Sequence, residues 1–444
     1  MSRKDTAEQK AWYFYDWANS SYVTTTGTVL FGPYLTSVAE NAAGCAGADD
    51  CDALLSVGPL LISPGSLFLY IVTATTLLGA ILLPIVGAYA DLRHDKQKLL
   101  AKFAWVGAAA GTAMFFVTGS NWQLGAALLM VGNICLAASL VVYDALLIDL
   151  SSPDDRDRVS SRGWALGYVG GGLLLIANLA LVLTMADTAL ATRISLASAG
   201  IWWGLWTLVP YRRIKNVADR PHGEVRFAQL ARRSFGQLGR TLRDLRRYPQ
   251  TLKFLVAYMF FNDGVQTVIA AASIYGAEEL GLGFDSLIVA IVIVQVVAVL
   301  GALGTGKLAA RIGAHRTVLN TLVIWTVVIV AGYFLPAGKA TLFFLLAAAI
   351  GFVLGGTQAL SRSLFSQMVP REAEAEYFGL YQTFERGTSW LGTLAFGLIA
   401  QLTGSYRPAI IALILFFAVG GLLLRRVDVR EGIRAAGNEQ PALV

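Results

Sequence analysis

The sequence predicts an all-α membrane protein of twelve transmembrane helices, arranged as two related six-helix halves with both termini cytoplasmic. Three observations predict it. Of the 444 residues, 56% are hydrophobic and 14% charged, and the mean hydropathy is +0.59; soluble domains carry about 25% charged residues. The apolar residues gather into runs near or beyond the ~18 residues that mark a spanning helix. All but four of the 35 Lys and Arg residues fall on one side of the layout these runs imply.

The runs cover residues 12–38, 67–90, 99–118, 122–147, 163–184, 194–210, 251–275, 286–304, 317–335, 341–361, 378–403 and 408–424. Their lengths suit helices, because barrel strands would alternate over about ten residues. The run at 194–210 is the weakest. The first run is too long for a signal peptide and holds Asp16, so no cleavable leader is expected. Of the four exceptional cations, Arg193, Lys339 and Arg407 lie outside and Arg386 lies within a helix, whereas the outside loops are acidic (Glu40, Asp49, Asp50, Asp52, Glu278, Glu279, Asp285). The positive-inside rule then puts both termini and the segment 211–250 in the cytoplasm of a cell, within a multi-pass protein of the cell membrane (the inner membrane in a Gram-negative cell). The expected units are residues 1–210 and 251–424 as six-helix bundles, 211–250 as a basic cytoplasmic linker and 425–444 as a tail.

The net charge of +6 is a product of this asymmetry and does not point to nucleic acid. In "YRRIKNVADRPHGEVRFAQLARRSFGQLGRTLRDLRRY" eleven Lys and Arg stand against three acids. That segment could grip anionic lipid headgroups as an interfacial helix, or be a solvated inside loop. Cys135 lies in an apolar run and reads as packing. Cys45 and Cys51 share an outside loop, where an oxidising compartment would permit a disulfide; their spacing leaves pairing open. His94, His222 and His315 are scattered, so no metal-site spacing exists. With no phosphate loop or nucleophile elbow, neither an enzyme nor a cofactor is expected, and the chain is expected to be a monomer.

The two halves echo each other. "GAYADLRHDKQK" (Gly87–Lys98) follows the second run and "GKLAARIGAHR" (Gly306–Arg316) the eighth. "YDALL" at Tyr143 pairs with "TQALS" at Thr357, and "RGWALG" at Arg162 with "RGTSWLG" at Arg386. Asp16 with Asn19 and Ser20 matches Asp263 with Gln266 and Thr267. Four echoes in order indicate a parallel repeat.

Gly87, Tyr89, Ala90, Asp91 and Arg93, with Lys96 and Lys98, resemble the cytoplasmic signature of the major facilitator superfamily; its second copy has Ala310 where the aspartate would stand. "YDWANS", "SSRGWALGY", "FFNDGVQT", "GGTQALSRS" and "YFGLY" resemble, in order, the vacuolar amino-acid effluxer family tied to autophagy and its bacterial relatives. The resemblance spans nearly the whole chain. It implies the major-facilitator fold, with helices 1 and 7 lining a central cavity.

A charge at the centre of a spanning helix costs roughly 2.5–3.5 kcal/mol on insertion scales, so such groups face a bundle interior or a wet cavity. Asp16 and Asp263 each carry polar neighbours at i+3 and i+4, on one helix face. Asp263 lies ten residues beyond Lys253, about 15 Å deep at 1.5 Å per residue. Asp16 lies about a turn inside the cytoplasmic surface and could serve a gate. The eleventh run carries Tyr381, Gln382, Glu385, Arg386 and Ser389. Arg386 could bind the carboxylate of a zwitterion as a planar fork, Asp263 could accept its ammonium, and Glu385, Asp263 or Asp16 could carry a coupling proton. Alternatively, Arg386 pairs permanently with Asp263 or another carboxylate and locks the bundle. Asn19, Asn262, Gln266, Gln358 and Gln382 could bond cargo or a neighbouring helix. Trp164, Tyr168 and Trp390 could form an apolar wall or pack in the core, and "GYVGGG" (Gly167–Gly172) allows close helix approach. Asp91 and Arg93 could latch the cytoplasmic side, with Asp144 or Asp149 as partner of Arg93.

The expected function is therefore a secondary transporter with alternating access, exporting a small zwitterionic solute such as a neutral amino acid with proton coupling. A lipid-like solute exporter and a non-transporting membrane sensor or scaffold are the alternatives.

Overall fold

The computed structural model describes residues 5–45, 53–57, 60–215, 245–371, 373–387 and 389–444. Most of the basic linker, the Cys45–Cys51 pairing and the side chain of Trp390 lie outside the described set.

Helix α1 (Ala7–Tyr22) starts at a capping box, in which the Thr6 hydroxyl accepts the Gln9 N–H and the Gln9 amide accepts the Thr6 N–H. A widened π-helical stretch, Val23–Leu30, joins it to α2 (Phe31–Ala43). The cause is local. Pro33 lacks an N–H, and the Thr24 and Thr28 hydroxyls donate back to the carbonyls of Ser20 and Val23. Then come α3 (Leu67–Asp91), α4 (Lys96–Ala113), α5 (Trp122–Leu150), α6 (Arg156–Thr184), α7 (Thr188–Trp206) and α8 (Leu208–Arg213). Beyond the linker lie α9 (Pro249–Ile274), α10 (Phe284–Ile312), α11 (Ala314–Tyr333) and α12 (Ala340–Gln367). The chain ends in α13 (Glu374–Gly387), α14 (Ser389–Thr403), α15 (Tyr406–Ala412), α16 (Ile414–Arg425) and α17 (Val429–Ala435).

Among the described residues, nine helices are long and apolar enough to cross a membrane. The runs at 12–38 and 378–403 are helical in separate segments, and α7 is diluted by Thr192, Arg193, Ser195 and Ser198. One correction to an all-helical chain is a small antiparallel hairpin before α3, with Leu55–Val57 pairing Leu60–Ile62. Large apolar side chains point outward along the helices; Leu402 is 83% exposed and Leu77 65%. Such faces belong in lipid.

The two parts of the chain meet through α3 against α13 and α6 against α10. Asp5 forms ion pairs with Arg158 and Arg162 at the start of α6. Near the other terminus, the Ala442 N–H donates to Asp154 Oδ1 at 2.7 Å. Asp5 and Ala442 therefore both sit beside the α5–α6 loop, at the basic end of the molecule.

Candidate functional site

A buried cation, Arg362 on α12, sits at the centre of the contact between the two parts. It is 3% exposed. One guanidinium nitrogen lies 3.3 Å from Asp16 on α1 and the other 3.3 Å from Asp144 on α5. Its Nε donates to Ser160 Oγ at 3.0 Å and Nη2 to the Ser160 carbonyl at 3.1 Å. The cation also lies over three rings: Trp12 at 4.8 Å, Tyr143 at 5.3 Å and Trp164 at 5.4 Å from the centroid. Tyr143 Oη donates to Asp16 at 2.7 Å, and its ring stacks on Trp12. Gly163 makes room for this arrangement, because a Cβ there would come within 2.7 Å of Trp12 and 2.8 Å of Asp16 Oδ2. A buried arginine is tolerable only when both faces of its fork and its remaining donors are matched, as they are here.

A chain of amides leads from this cluster toward α9. Gln382 Nε2 donates to Asp144 at 3.0 Å and to Glu385 at 3.3 Å, while its Oε1 accepts from Arg386 Nε at 3.3 Å. Asn262 donates to the Glu385 carbonyl at 3.0 Å and accepts from Gln358 Nε2 at 2.9 Å. Asp16, Asp144, Gln382, Glu385, Arg386, Asn262 and Gln358 thus join one network. Asp263 stands next to it, 2% exposed: Oδ2 accepts the Gly392 N–H at 3.0 Å, and buried Oδ1 has no partner among the described residues. Arg386 forms no ion pair among the described residues, so the permanent lock with Asp263 is not what this structure contains. Asn19 is bonded to its own helix, through the Tyr15 carbonyl at 2.7 Å. Gln266 is half-buried on α9.

Nearer the basic end is a second cluster. Lys96, fully buried, lies 3.0 Å from Asp149, 3.9 Å from Glu374 and 4.0 Å from Asp91. The Asp91 carboxylate accepts the N–H groups of Ala375 and Glu376 at 3.0 and 2.9 Å. These belong to the first turn of α13, whose N–H groups have no helical acceptor and whose dipole favours an anion. Gly87 permits the approach, since a Cβ there would sit 2.1 Å from the Ala375 carbonyl oxygen. Arg93 requires a correction: it pairs with neither Asp144 nor Asp149. Its fork takes both oxygens of Asp95 at 2.7 and 2.8 Å, and Nη1 donates to Tyr89. Past the end of α3 the chain turns, which brings Asp95 within reach two residues on. Burial pushes Asp95 up, but the Arg93 fork outweighs it and holds the carboxyl below its usual range.

A third set of bonds joins α6 to the end of α12. Arg156 Nη1 donates to the Ser366 carbonyl at 3.0 Å and to Gln367 Oε1 at 3.1 Å, and Ser363 Oγ donates to Asp157 at 2.6 Å. All the described hydrogen bonds between the two parts lie between the basic end and Gln382. Three layers of polar contact therefore close this end.

The sequence assigned no role to Arg362, Lys96 or Arg156, although Lys96 belongs to the resembled signature and Arg362 to "GGTQALSRS". Arg362 follows the apolar stretch of α12 directly and so reads as an inside-loop charge. Its signal was the polar stripe Thr357, Gln358, Ser361, Arg362, which recurs at helical spacing.

The chain matches the family described as vacuole effluxer Atg22 like over residues 4–437. It is 32% identical to the "Uncharacterized MFS-type transporter YxiO" of Bacillus subtilis (strain 168), over 96% of this chain and 95% of that one. It is 24% identical to autophagy-related protein 22 of Pyricularia oryzae, over 98% of this chain and 78% of the relative. Among solved structures, the proton:xylose symporter XylE superposes with a TM-score of 0.66 at 13% identity, covering 95% of each chain. A bacterial homologue of the iron transporter ferroportin in an outward-facing state gives 0.66 at 14% identity, covering 95% of this chain and 99% of its own.

Proposed function

The chain belongs to the family of vacuole effluxers like Atg22, with a major-facilitator fold, and from that premise we propose a secondary active transporter that exports a small zwitterionic solute. Membership makes it a multi-pass membrane transporter and not an enzyme. The finer reading is alternating access in a monomer with twelve spans, bundles at 1–210 and 251–424, and both termini cytoplasmic in the cell membrane. A neutral amino acid is the solute and a proton the coupling ion.

One observation carries the solute class. Asp263 keeps a buried, unpartnered oxygen, and Arg386 has no ion pair among the described residues. A zwitterion needs a carboxylate for its ammonium and a fork for its carboxylate. Glu385 is the proton carrier in this reading, because Gln382 links it to Asp144 and so to the gate. Asp16 and Asp144 hold the gate through Arg362, while Asp91 and Asp149 hold the second layer. Gln358, Asn262, Gln266, Asn19 and Gln382 are second-line contacts, to which Trp390 adds apolar surface. A lipid-like solute would call for an apolar path in place of this amide chain.

The test is flux from proteoliposomes. Neutral amino acids should leave loaded vesicles faster when a proton gradient is imposed, and a thermal-stabilisation screen should pick out the same solutes. Binding without flux, indifferent to pH, would favour a sensor and overturn the proposal.

A further inference from the structure

Between α4 and α7, on a face where Val106, Ile201 and Leu205 are 53, 49 and 61% exposed, runs an open groove of about 370 Å³. Trp105, Ala108, Thr112, Gly200, Gly204 and Leu208 line it. Its floor has its polar groups already satisfied: the Trp105 indole donates to the Gly204 carbonyl at 3.1 Å, and Thr112 Oγ1 to the Ala108 carbonyl at 2.8 Å. The groove therefore suits an apolar chain.

Its mouth at the basic end is different. Lys102 lies one turn before Trp105 on α4, six residues from Ala108 and so about 9 Å along the axis. Arg212 and Arg213 follow Tyr211, whose ring packs edge-on against Trp105 at 5.0 Å. Lys10 lies on α1, which packs against α8. All four cations are exposed, and none forms an ion pair among the described residues. The nearby Glu8 is engaged with the Lys215 N–H at 3.0 Å.

We propose that this groove is a binding site for an anionic phospholipid from the leaflet at the basic end. One acyl chain lies along the crease over the α4–α7 contact, and the phosphate meets Lys102, Arg212 and Arg213. Trp105 and Tyr211 mark the boundary between chain and headgroup, where amphipathic rings sit in membrane proteins. A zwitterionic headgroup offers the same phosphate but adds an ammonium that offsets its charge and is repelled by the three cations. Each cation contributes roughly a five-fold preference for an anionic lipid. The site is independent of the solute pathway, so its test is separate from that of transport.

The experiment titrates the delipidated full chain, in detergent, with phosphatidylglycerol or with phosphatidylcholine of the same chains. Thermal stability and native mass are the readouts. Phosphatidylglycerol should stabilise the protein and remain bound at far lower concentrations. The triple variant Lys102→Gln, Arg212→Gln, Arg213→Gln should lose that preference, by about 100-fold for three cations. Ala109→Phe, at an exposed position on the groove wall, should weaken both lipids alike without disturbing the core. Equal stabilisation by the two lipids, or a triple variant that keeps its preference, would overturn the proposal. So would a stable dimer that carries no lipid, which would make the groove a self-interface.

Discussion

Arg362 on α12 and Asp144 on α5 lie 3.3 Å apart, and both are sealed from solvent, at 3% and 2% exposure. They are 218 residues apart in sequence. Asp16 completes the group, so one cation holds two carboxylates, and Tyr143 and Gln382 donate the bonds that spread the excess negative charge. In the alternating-access cycle proposed above, this bond breaks when the basic end opens.

Removing the cation should be costly. Arg362→Ala would leave Asp16 and Asp144 facing each other without compensation, a loss of ~3–5 kcal/mol for a broken buried pair. Arg362→Lys should recover part of the melting temperature but little flux, because an ammonium cannot fork between two carboxylates. Adding Asp144→Asn to Arg362→Gln should restore stability relative to the single change. If the double variant is no more stable than Arg362→Gln alone, the charge pairing is not what holds this layer.

The second layer predicts a change in accessibility. Asp91→Asn weakens the bonds to the Ala375 and Glu376 N–H groups, and Gly87→Ala forces a methyl onto the Ala375 carbonyl. Both should shift the population toward an open basic end. A cysteine at Ser366, which is fully buried, should then react faster with a membrane-impermeant thiol reagent applied at that end. An unchanged labelling rate in both variants would mean that α3 and α13 do not form a gate.

Physical reasons explain which parts of this were legible in advance. Apolar length and the Lys/Arg asymmetry are properties of single runs, and they mark the helices and their common basic end before any contact is known. Asp16, Asp263 and Glu385 stood out because an acid in an apolar run has few benign explanations, whereas Asp91 stood out through the resemblance of its motif. Arg362 did not, because a basic residue at the inner end of a span satisfies the charge rule without any partner. Its role depends on a carboxylate from a distant part of the chain, and one sequence holds no information about that pairing. Arg93 shows the converse: a plausible long-range partner lost to Asp95, which is two residues away and needs no chain closure.

The N-terminus should respond to acid. Burial pushes Asp5 up, but the Arg162 and Arg158 guanidiniums outweigh it, and its carboxyl sits below the usual range. A folded-state value below the unfolded one, which is near 3.9, stabilises the native state above that pH. The contribution is lost as pH falls through the lower folded value. Wild type should therefore melt above Asp5→Asn at pH 6, and the two curves should converge below about pH 3.9. A gap that persisted at low pH would show that the carboxylate charge is not the stabilising element.

Arg386 provides the sharpest separation between stability and transport. Its Nε donates to Gln382, and it forms no ion pair among the described residues. Its loss therefore breaks no close ion pair among the described residues, unlike the loss of Arg362. Arg386→Ala should melt within a few degrees of wild type, yet lose flux of any solute that bears a carboxylate. Asp263→Asn should keep the Gly392 contact, since an amide oxygen can still accept that N–H, while weakening solutes that bear an ammonium. Flux of a carboxylate-free amine through Arg386→Ala should survive better than flux of the matching amino acid. If both solutes fall equally, Arg386 supports the helix and does not read the solute, and the zwitterion assignment fails with it.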